Sequence, residues 1–356
     1  MADIQYQDET ILRSANQRIE YVEHAEAPDD PCMFVFRSSK KTERPVFLFE
    51  DVIDYLMIPV TFLVCWLFPV GTWGWLQKPI IFLGERMVPR DRQRRVRRAY
   101  ERVFGSLKDE EWDELRRGLI RQTLASRVTA AQEFSPKRGK ITFDVDGAAK
   151  LLEQLEVGKG AILWVNRFST YPILSKRALC QEGVSASALS HKCHGNSESR
   201  FAALLMNKIQ IAAENRYLKQ RLVFDDGEVR KVQKRALSQL RKGHPVIFTN
   251  TSLAGHRYVE LPLGVNGKLR MATGPIAIAL RTGTPLFAVS IFEVRPFLHY
   301  RVKIDGFDAA LADAGQSAKS RSDFLSMARV ARASRDIILD GIRKHPDQTA
   351  YILLDE

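Results

Sequence analysis

From residue 140 onward, the chain alternates between strand-like and helix-like patterns of hydrophobic residues, and this alternation limits its possible folds more than any other feature. The strand patterns fall at residues 140–146, 161–165, 185–189, 209–213, 245–249, 286–292 and 300–304. The helical patterns fall between and after them, at residues 148–155, 173–181, 200–206, 227–241, 273–281 and 322–343. Such alternation predicts an α/β fold whose mixed, mostly parallel sheet is flanked by helices.

The composition allows a folded domain and favours anionic partners. The chain has 356 residues, 45% of them hydrophobic, so it can bury a full core. Its formal net charge of +12 should attract phospholipid headgroups, nucleic acid, or phosphorylated donors such as coenzyme A and acyl carrier protein. The four cysteines form no CxxC pair and no cleavable signal opens the chain, so we expect free thiols in the cytoplasm.

An uncharged run precedes the alternating region. Residues 55–77 contain no Asp, Glu, Lys or Arg and are numerous enough to cross a bilayer, but prolines and glycines interrupt the run. The arginine-rich stretch VPRDRQRRVRRAYERVF follows at residues 88–104. An apolar aromatic segment beside a basic helix is typical of a protein that lies on the inner face of an anionic membrane. The alternatives are a true membrane span, burial on the domain core, dimerisation, RNA binding, and a solvated face with ion pairs such as Arg97 with Glu101.

We divide the chain into three parts on these patterns. Residues 1–46 form a polar, loosely docked N-terminal arm, residues 47–135 a hydrophobic and basic helical region, and residues 136–356 the α/β domain. The second part carries aromatic residues that suit a membrane interface as well as a protein interior, namely Trp66, Trp73 and Trp75.

Two stretches resemble one enzyme family. GKGAILWVNRF, at residues 158–168, follows the strand pattern KITFDVDG and a helix, and is similar to the first block of the lysophospholipid acyltransferase superfamily. MATGPIAIALRTGTPLFAVSIFE, at residues 271–293, resembles that family's TGP segment, its small-residue helix, and its RTG-x-P turn into a strand. The chain looks closest to the bacterial lipid A lauroyl and myristoyl acyltransferases, over roughly residues 47–293 in the order of elements. This resemblance implies an acyltransferase-like fold and an activated acyl donor, with no cofactor.

The catalytic motif of that family is missing. The family carries His-x4-Asp/Glu after the first strand, with the histidine as general base and the carboxylate as its orienting partner. Matched to this pattern, the histidine position is Arg167 and the acidic position is Pro172. A later acidic turn of the family is replaced by Asn250 and Thr251. Arginine stays protonated near neutral pH, so Arg167 can bind an anion but cannot serve as the base.

The stretch ALSHKCHGNSESRF, at residues 188–201, contains the densest group of reactive side chains. It follows a predicted strand, which places it on the carboxyl rim of the sheet with Arg167. We predict that His194 is the replacement base, with His191 as the second candidate and Glu198 or Glu214 as the orienting carboxylate. The alternatives are surface histidines and, less favoured, Cys193 as a nucleophile. We expect no metal site, because a second pair of ligands is missing.

A further group of residues is predicted to bind substrate. Four of them lie on or near the rim of the sheet, two flank a predicted hairpin, and one begins the helix of the TGP segment. The hydroxyl groups also suit ordinary turns and caps, and the arginines also suit exposed surfaces. The residues are Asn166, Arg167, Ser169, Arg200, Arg257, Arg270 and Thr273.

Two functions follow from these expectations. The first is a divergent acyltransferase that moves an acyl group from acyl carrier protein, acyl-CoA or aminoacyl-tRNA to a hydroxyl or amine. An amine acceptor that arrives unprotonated needs less base catalysis than a sugar hydroxyl. The second is a descendant without catalysis that binds lipid or an acylated partner at the membrane surface. For the second function, Trp73 and Arg167 are the expected binding residues.

Overall fold

The computed structural model describes residues 19–25, 30–37, 45–46, 49–87, 90–192, 194–195, 199–204, 206–225, 228–250, 257–311 and 324–353. The strands in these residues are β1 (Ile19–Ala25), β2 (Cys32–Arg37), β3 (Thr142–Asp146), β4 (Ile162–Val165), β5 (Ser187–His191), β6 (Gln220–Phe224), β7 (Val246–Thr249), β8 (Arg257–Leu263), β9 (Gly267–Ala272), β10 (Leu286–Arg295) and β11 (His299–Gly306).

The helices in the same residues fall before, between and after these strands. They are α1 (Phe49–Leu67), α2 (Val70–Met87), α3 (Arg90–Phe104), α4 (Asp109–Gln132), α5 (Ala148–Glu156), α6 (Tyr171–Gln181), α7 (Arg200–Leu204), α8 (Met206–Asn215), α9 (Val229–Arg241), α10 (Gly274–Thr282), α11 (Phe324–Lys344) and α12 (Ala350–Leu353). Two short 3-10 helices occupy Pro136–Lys140 and Pro346–Gln348.

The larger sheet has the strand order β3-β11-β10-β4-β7-β5-β6. The five strands from β10 to β6 run parallel, whereas β11 is antiparallel to β10 and β3 runs with β11. All four residues of β4 are buried, as expected for a parallel strand covered on both faces. Helices α5 and α6 cover one face, and α9, α10 and α11 cover the other. The predicted α/β fold with a mixed, mostly parallel sheet is confirmed.

A smaller antiparallel sheet has the order β1-β2-β8-β9. Its β8 and β9 form the predicted hairpin, and Gly264 in the turn has a φ of +66° with its Cα against the backbone of Val103. A side chain there would overlap that backbone, so the turn requires glycine. Cys32 and Phe34 of β2 are fully buried, so this part of the expected loose arm belongs to the core. The division of the chain into three parts stays a prediction.

The second half of the chain departs from the sequence prediction at two successive elements, α8 and β6. Residues 209–213 were expected to form a strand, but they lie within helix α8, so that prediction is wrong. The alternation of Ile209 and Ile211 imitates a strand, whereas the buried residues Gln210 and Glu214 are four apart and share one helical face. Strand β6 was missed, because only Leu222 of its five residues is buried.

The uncharged run is divided between α1 and α2, which are separated at Phe68 and Pro69. Among the described residues, no helix is long and apolar enough to cross a membrane. One side of this helix pair packs on α4, where Trp73 is 1% exposed and its ring lies 5.6 Å from that of Phe297. Trp66 and Trp75 are exposed. The three tryptophans therefore divide between interior and surface, and Trp73 is a core residue.

Helix α3 contains the arginine-rich stretch. The expected pair of Arg97 and Glu101 is present at 2.8 Å, and Arg97 also contacts Asp109 at 2.7 Å. Tyr100, three residues after Arg97, is fully buried. The remaining described arginine side chains of the helix are partly or fully accessible, which gives α3 a basic outer face.

Candidate active site

The carboxyl ends of the parallel strands form one edge of the larger sheet. Strands β4 and β7 are neighbours in the sheet, but the chain leaves β4 towards β5 and leaves β7 towards β10. Connections that leave neighbouring strands in opposite directions open a crevice at the carboxyl ends, which is where open α/β sheets bind ligands. The residues at this edge include Asn166, His191 and Asn250.

A tight turn after β5 carries the predicted base. The backbone N–H of His194 donates to the carbonyl of His191 at 2.9 Å. Gly195 follows with a φ of +149°, and a Cβ at this position would overlap the side chain of Asn207. Because this backbone conformation and close approach require glycine, Gly195 fixes the backbone directly after His194.

The imidazole of His194 contacts a buried carboxylate. Its Nε2 lies 2.7 Å from Oε1 of Glu214, and the histidine side chain is 22% exposed while the carboxylate is fully buried. An ionised carboxylate only accepts hydrogen bonds, so Nε2 carries the hydrogen and Nδ1 of the neutral ring is left with the lone pair. Of the two carboxylates considered for this contact, Glu214 contacts the ring, and Glu198 lies outside the described residues.

Glu214 is the centre of a group that we name the Glu214 cluster. Its Oε2 accepts from Nζ of Lys176 at 2.5 Å and from Nη2 of Arg221 at 2.9 Å. Its Oε1 accepts from Nε2 of Gln210 at 2.9 Å as well as from His194. With His194 neutral, two cations face one carboxylate, so the cluster carries an excess positive charge.

These contacts keep the carboxylate ionised. Burial opposes ionisation of Glu214, but the charge of Lys176, the contact with His194 and the charge of Arg221 outweigh it and hold the pKa of the carboxyl well below its usual value. The pKa of Lys176 is also lowered, because burial of its ammonium outweighs the attraction of Glu214. A carboxylate that stays charged can both orient the imidazole and stabilise the imidazolium formed when the base accepts a proton.

The Glu214 cluster is joined to the first turn of α6. Lys176 lies in this helix, and its Nζ also donates to the carbonyl of Pro172 at 2.7 Å. Pro172 is the position at which the resemblance places the family's acid. Lys176 therefore contacts both the backbone of that position and the carboxylate of Glu214.

Asn166, a predicted substrate-binding residue, is fully buried at the end of β4. Its Nδ2 donates to Oγ of Ser290 at 2.6 Å, and its Oδ1 accepts from Nδ2 of Asn250. These bonds join the ends of β4 and β7 to the middle of β10. They give Asn166 a structural role in the crevice, and the substrate-binding role stays a prediction.

Hydroxyl groups next to this amide network are buried without partners. Oγ of Ser169 and Oγ1 of Thr170 make no hydrogen bond in the described part of the chain, and neither does Oδ1 of Asn250. Buried polar groups normally find a partner, so such a set indicates bound water or ligand atoms in the crevice. The guanidinium of Arg167, which is half-buried beside these groups, lies 6.0 Å from the ring of Tyr171.

Arg257 and Thr273 contact each other. Nε of Arg257 donates to Oγ1 of Thr273 at 3.1 Å, and this hydroxyl donates to the carbonyl of Arg257 at 3.2 Å. Arg270 instead pairs with Glu260 across the hairpin at 2.8 Å, beside Lys268. Arg270 thus belongs to a cross-strand ion pair on β8 and β9.

The other predicted residues have separate environments. His191 is half-buried with its ring 5.4 Å from that of Phe224. Arg200 is exposed, and its backbone N–H donates to the carbonyl of Pro45 at 3.0 Å. The residues Cys193, Ser197 and Glu198 lie outside the described residues. Within the described ranges, no group of three or more His, Cys, Asp or Glu side chains could hold a metal ion.

Sequence reasoning missed three members of the Glu214 cluster: Lys176, Gln210 and Arg221. Lys176 and the neighbouring Arg177 are buried in α6, a helix that packs between strands and another helix. The basic pair inside the otherwise apolar pattern YPILSKRALC could have indicated these contacts, because a charged residue on a covered helix needs a counter-ion. Arg221 gave no comparable signal, because β6 itself was missed.

Comparison with known proteins gives no match to a protein-family model and no match to a curated protein.

Proposed function

We propose that the protein is a divergent acyltransferase in which His194 is the general base. In the reaction, the imidazole accepts the proton of an acceptor hydroxyl or amine, whose oxygen or nitrogen attacks the acyl carbonyl carbon. The bond from that carbon to the leaving thiolate or alkoxide then breaks, and the proton passes from the imidazolium to the leaving group. Glu214 orients the ring and stabilises its charged form.

The observation that carries this proposal is the contact of 2.7 Å between His194 and Glu214. The histidine is partly accessible, its carboxylate partner is fully buried and ionised, and both lie beside the carboxyl edge of a parallel sheet. A base held in one orientation and open to solvent on one side has the properties that proton transfer requires. The unpartnered buried hydroxyls of Ser169 and Thr170 support a polar ligand at the same edge.

The basic surface supports an anionic acyl donor. Helix α9 contains no acidic residue and presents exposed cations along its length. Acyl carrier protein, coenzyme A thioesters and aminoacyl-tRNA all carry the negative charge that such a surface attracts. The cations are Arg230, Lys231, Lys234, Arg235, Arg241 and Lys242.

Substitution of His194 tests the proposal against a matched control. His299 also contacts a carboxylate, with its Nε2 2.9 Å from Oδ2 of Asp144, but this pair lies on the far part of the sheet. We expect His194→Ala to lower the rate of acyl transfer by about 10²–10⁴-fold and His299→Ala to leave it unchanged. Thiol release from acyl-CoA and acyl carrier protein, and deacylation of aminoacyl-tRNA, are measured with hydroxyl and amine acceptors.

Two results would contradict the proposal. The first is a His194→Ala variant that transfers acyl groups at the wild-type rate from a donor that the protein uses. The second is an equal loss in the His194→Ala and His299→Ala variants, because a general effect on folding or solubility would then explain both. The unfolding transitions of the two variants, followed by circular dichroism, separate these cases.

The second candidate function, lipid binding at the inner membrane surface without catalysis, is favoured by the exposed side of α1. Leu56, Val60, Leu63 and Leu67 lie on one helical face and are 63%, 46%, 57% and 67% exposed. We name this face the α1 stripe. An uncovered apolar stripe of this kind indicates an interaction surface. The two functions differ in one result, because binding alone would leave His194→Ala fully functional.

A further inference from the structure

A surface hollow of about 420 Å³ lies where α1 ends, between the end of α4 and the 3-10 helix Pro136–Lys140. Trp66 and Phe134 form aromatic parts of its wall, and Arg138 and Arg216 are its basic residues. It lies outside the candidate active site, since no residue of the Glu214 cluster lines it. The combination of aromatic and guanidinium groups suits an anion attached to an apolar molecule.

The two arginines are accessible. Arg138 is exposed and its guanidinium donates no hydrogen bond within the described part of the chain. Arg216 is exposed as well, and its guanidinium lies 4.3 Å from the centre of the Phe134 ring. One N–H group of Arg216 donates to the backbone carbonyl of Glu133, which fixes the side chain at the edge of the hollow.

The acidic residue that lines the hollow, Glu133, is occupied by other groups. Glu133 is buried, and its side chain accepts from Nη1 of Arg177 at 2.7 Å and from the hydroxyl of Tyr217. It is therefore already balanced by Arg177. Arg138 and Arg216 add two positive charges that this carboxylate does not neutralise, so the hollow attracts anions.

The hollow adjoins the α1 stripe. Trp66 lines the hollow, is 55% exposed, and stands next to Leu67 at the end of the stripe. Nζ of Lys137 donates to the carbonyls of Cys65 and Trp66 at 3.0 and 2.6 Å, which ties the end of α1 to the 3-10 helix. Because this cation caps the end of α1, it holds the α1 stripe next to the hollow.

We propose that the hollow binds the phosphate of an anionic phospholipid headgroup while the α1 stripe contacts the acyl chains of the bilayer. The inference rests on the membrane-surface candidate described above and adds a headgroup site to it. Arginines offer forked donors to phosphate oxygens, and an exposed tryptophan suits the boundary between headgroups and chains. The adjacent apolar stripe favours a lipid over a free phosphate, because only a lipid occupies both surfaces.

The test is co-sedimentation of the full chain with vesicles of phosphatidylcholine alone and of phosphatidylcholine mixed with phosphatidylglycerol. The variant Arg138→Gln/Arg216→Gln removes both arginines of the hollow. The control variant Arg281→Gln/Arg343→Gln removes the same charge from exposed positions at the ends of α10 and α11. We expect the first variant to bind the mixed vesicles about 25-fold more weakly, at about fivefold for each arginine, and the control to change by less than about twofold.

Two outcomes would overturn the headgroup site. An equal loss in both double variants would show that net charge alone attracts the vesicles. Displacement of the protein from mixed vesicles by inorganic phosphate, at the same concentration as the phosphatidylglycerol phosphate, would show that the hollow takes a free anion. Sulfate at equal ionic strength controls for screening of charge in the competition.

A third variant separates failure of this inference from failure of the membrane-surface candidate. Leu63→Asp places a charge in the α1 stripe and should weaken binding to both kinds of vesicle. If Leu63→Asp abolishes binding while the Arg138→Gln/Arg216→Gln variant binds like wild type, the membrane-surface candidate is supported and the headgroup site is wrong. If wild-type protein binds neither kind of vesicle, both proposals are wrong.

Discussion

Replacing Glu214 with glutamine removes a buried charge on which two cations depend. The side chains of Lys176 and Arg221 are only 8% and 9% exposed, and both contact Oε2 of Glu214. Glutamine keeps the size of the side chain but not its charge, so the variant leaves buried cations without their counter-ion. Arg221 retains bonds to Asn215 and Ser190, at 2.9 and 2.8 Å, which limits its part of the loss.

We expect Glu214→Gln to lower the free energy of unfolding by about 3–5 kcal/mol, the range found when one partner of a buried ion pair is removed. Urea denaturation measures this change. The double variant Lys176→Met/Glu214→Gln should lose less free energy of unfolding than the sum of the two single variants, with a coupling of about 1–3 kcal/mol. The reason is that it leaves one fewer buried cation without a counter-ion. His194→Ala should lower the free energy of unfolding by less than Glu214→Gln does, because Glu214 then keeps both of its buried cations.

The effect of pH has a definite sign. Because the pKa of Glu214 is held well below its usual value in the folded chain, the stability that it contributes is present above its unfolded pKa of about 4.3 and is lost as the pH falls below that value. The difference between wild type and Glu214→Gln should therefore shrink in acid. A difference below about 1 kcal/mol at neutral pH, or additive single variants, would refute the buried ion network.

Two further predictions concern the helical region and the loop of the base. Trp73→Ala should lower the free energy of unfolding by about 3–5 kcal/mol in urea denaturation, because it empties a buried site, whereas exposed Trp75→Ala should change it by less than about 0.5 kcal/mol. Gly195→Ala should lower acyl transfer nearly as much as His194→Ala, since the new Cβ overlaps Asn207 and displaces the loop; wild-type activity in this variant would contradict the assigned geometry.

The sequence was sufficient to predict the central strands of the fold. Strands β4 and β7 are short apolar runs bounded by turns, and β10 begins with a nearly continuous apolar run, which is the composition expected of parallel strands covered on both faces. The prediction failed where burial is one-sided. In α8, a polar face directed at α6 interrupts the apolar pattern and makes Ile209 and Ile211 look like strand residues. In β6, the edge position removes most of the apolar signal.

The candidate site was predictable only in part. The local density of reactive residues after β5 indicated His194, and the short list of nearby acids included Glu214. Lys176 and Arg221 are brought to Glu214 from α6 and β6, and no spacing along the chain reports such a tertiary contact. The sequence also does not show that a lysine is buried, because a lysine on an exposed helix face would give the same hydrophobic pattern.

The positions around β4 explain why a base from the next loop is the better proposal. Asn166 is bonded to Ser290 and Asn250, which joins β4, β7 and β10 by amide contacts, and Arg167 next to it cannot accept a proton at neutral pH. The turn after β5 instead offers a histidine whose orientation is set by a carboxylate. That carboxylate contacts Lys176, and Lys176 contacts the carbonyl of Pro172 in the first turn of α6, the position at which the resemblance places an acidic residue. The proposed base therefore lies one loop beyond the position that the resemblance predicts, at the same end of the sheet.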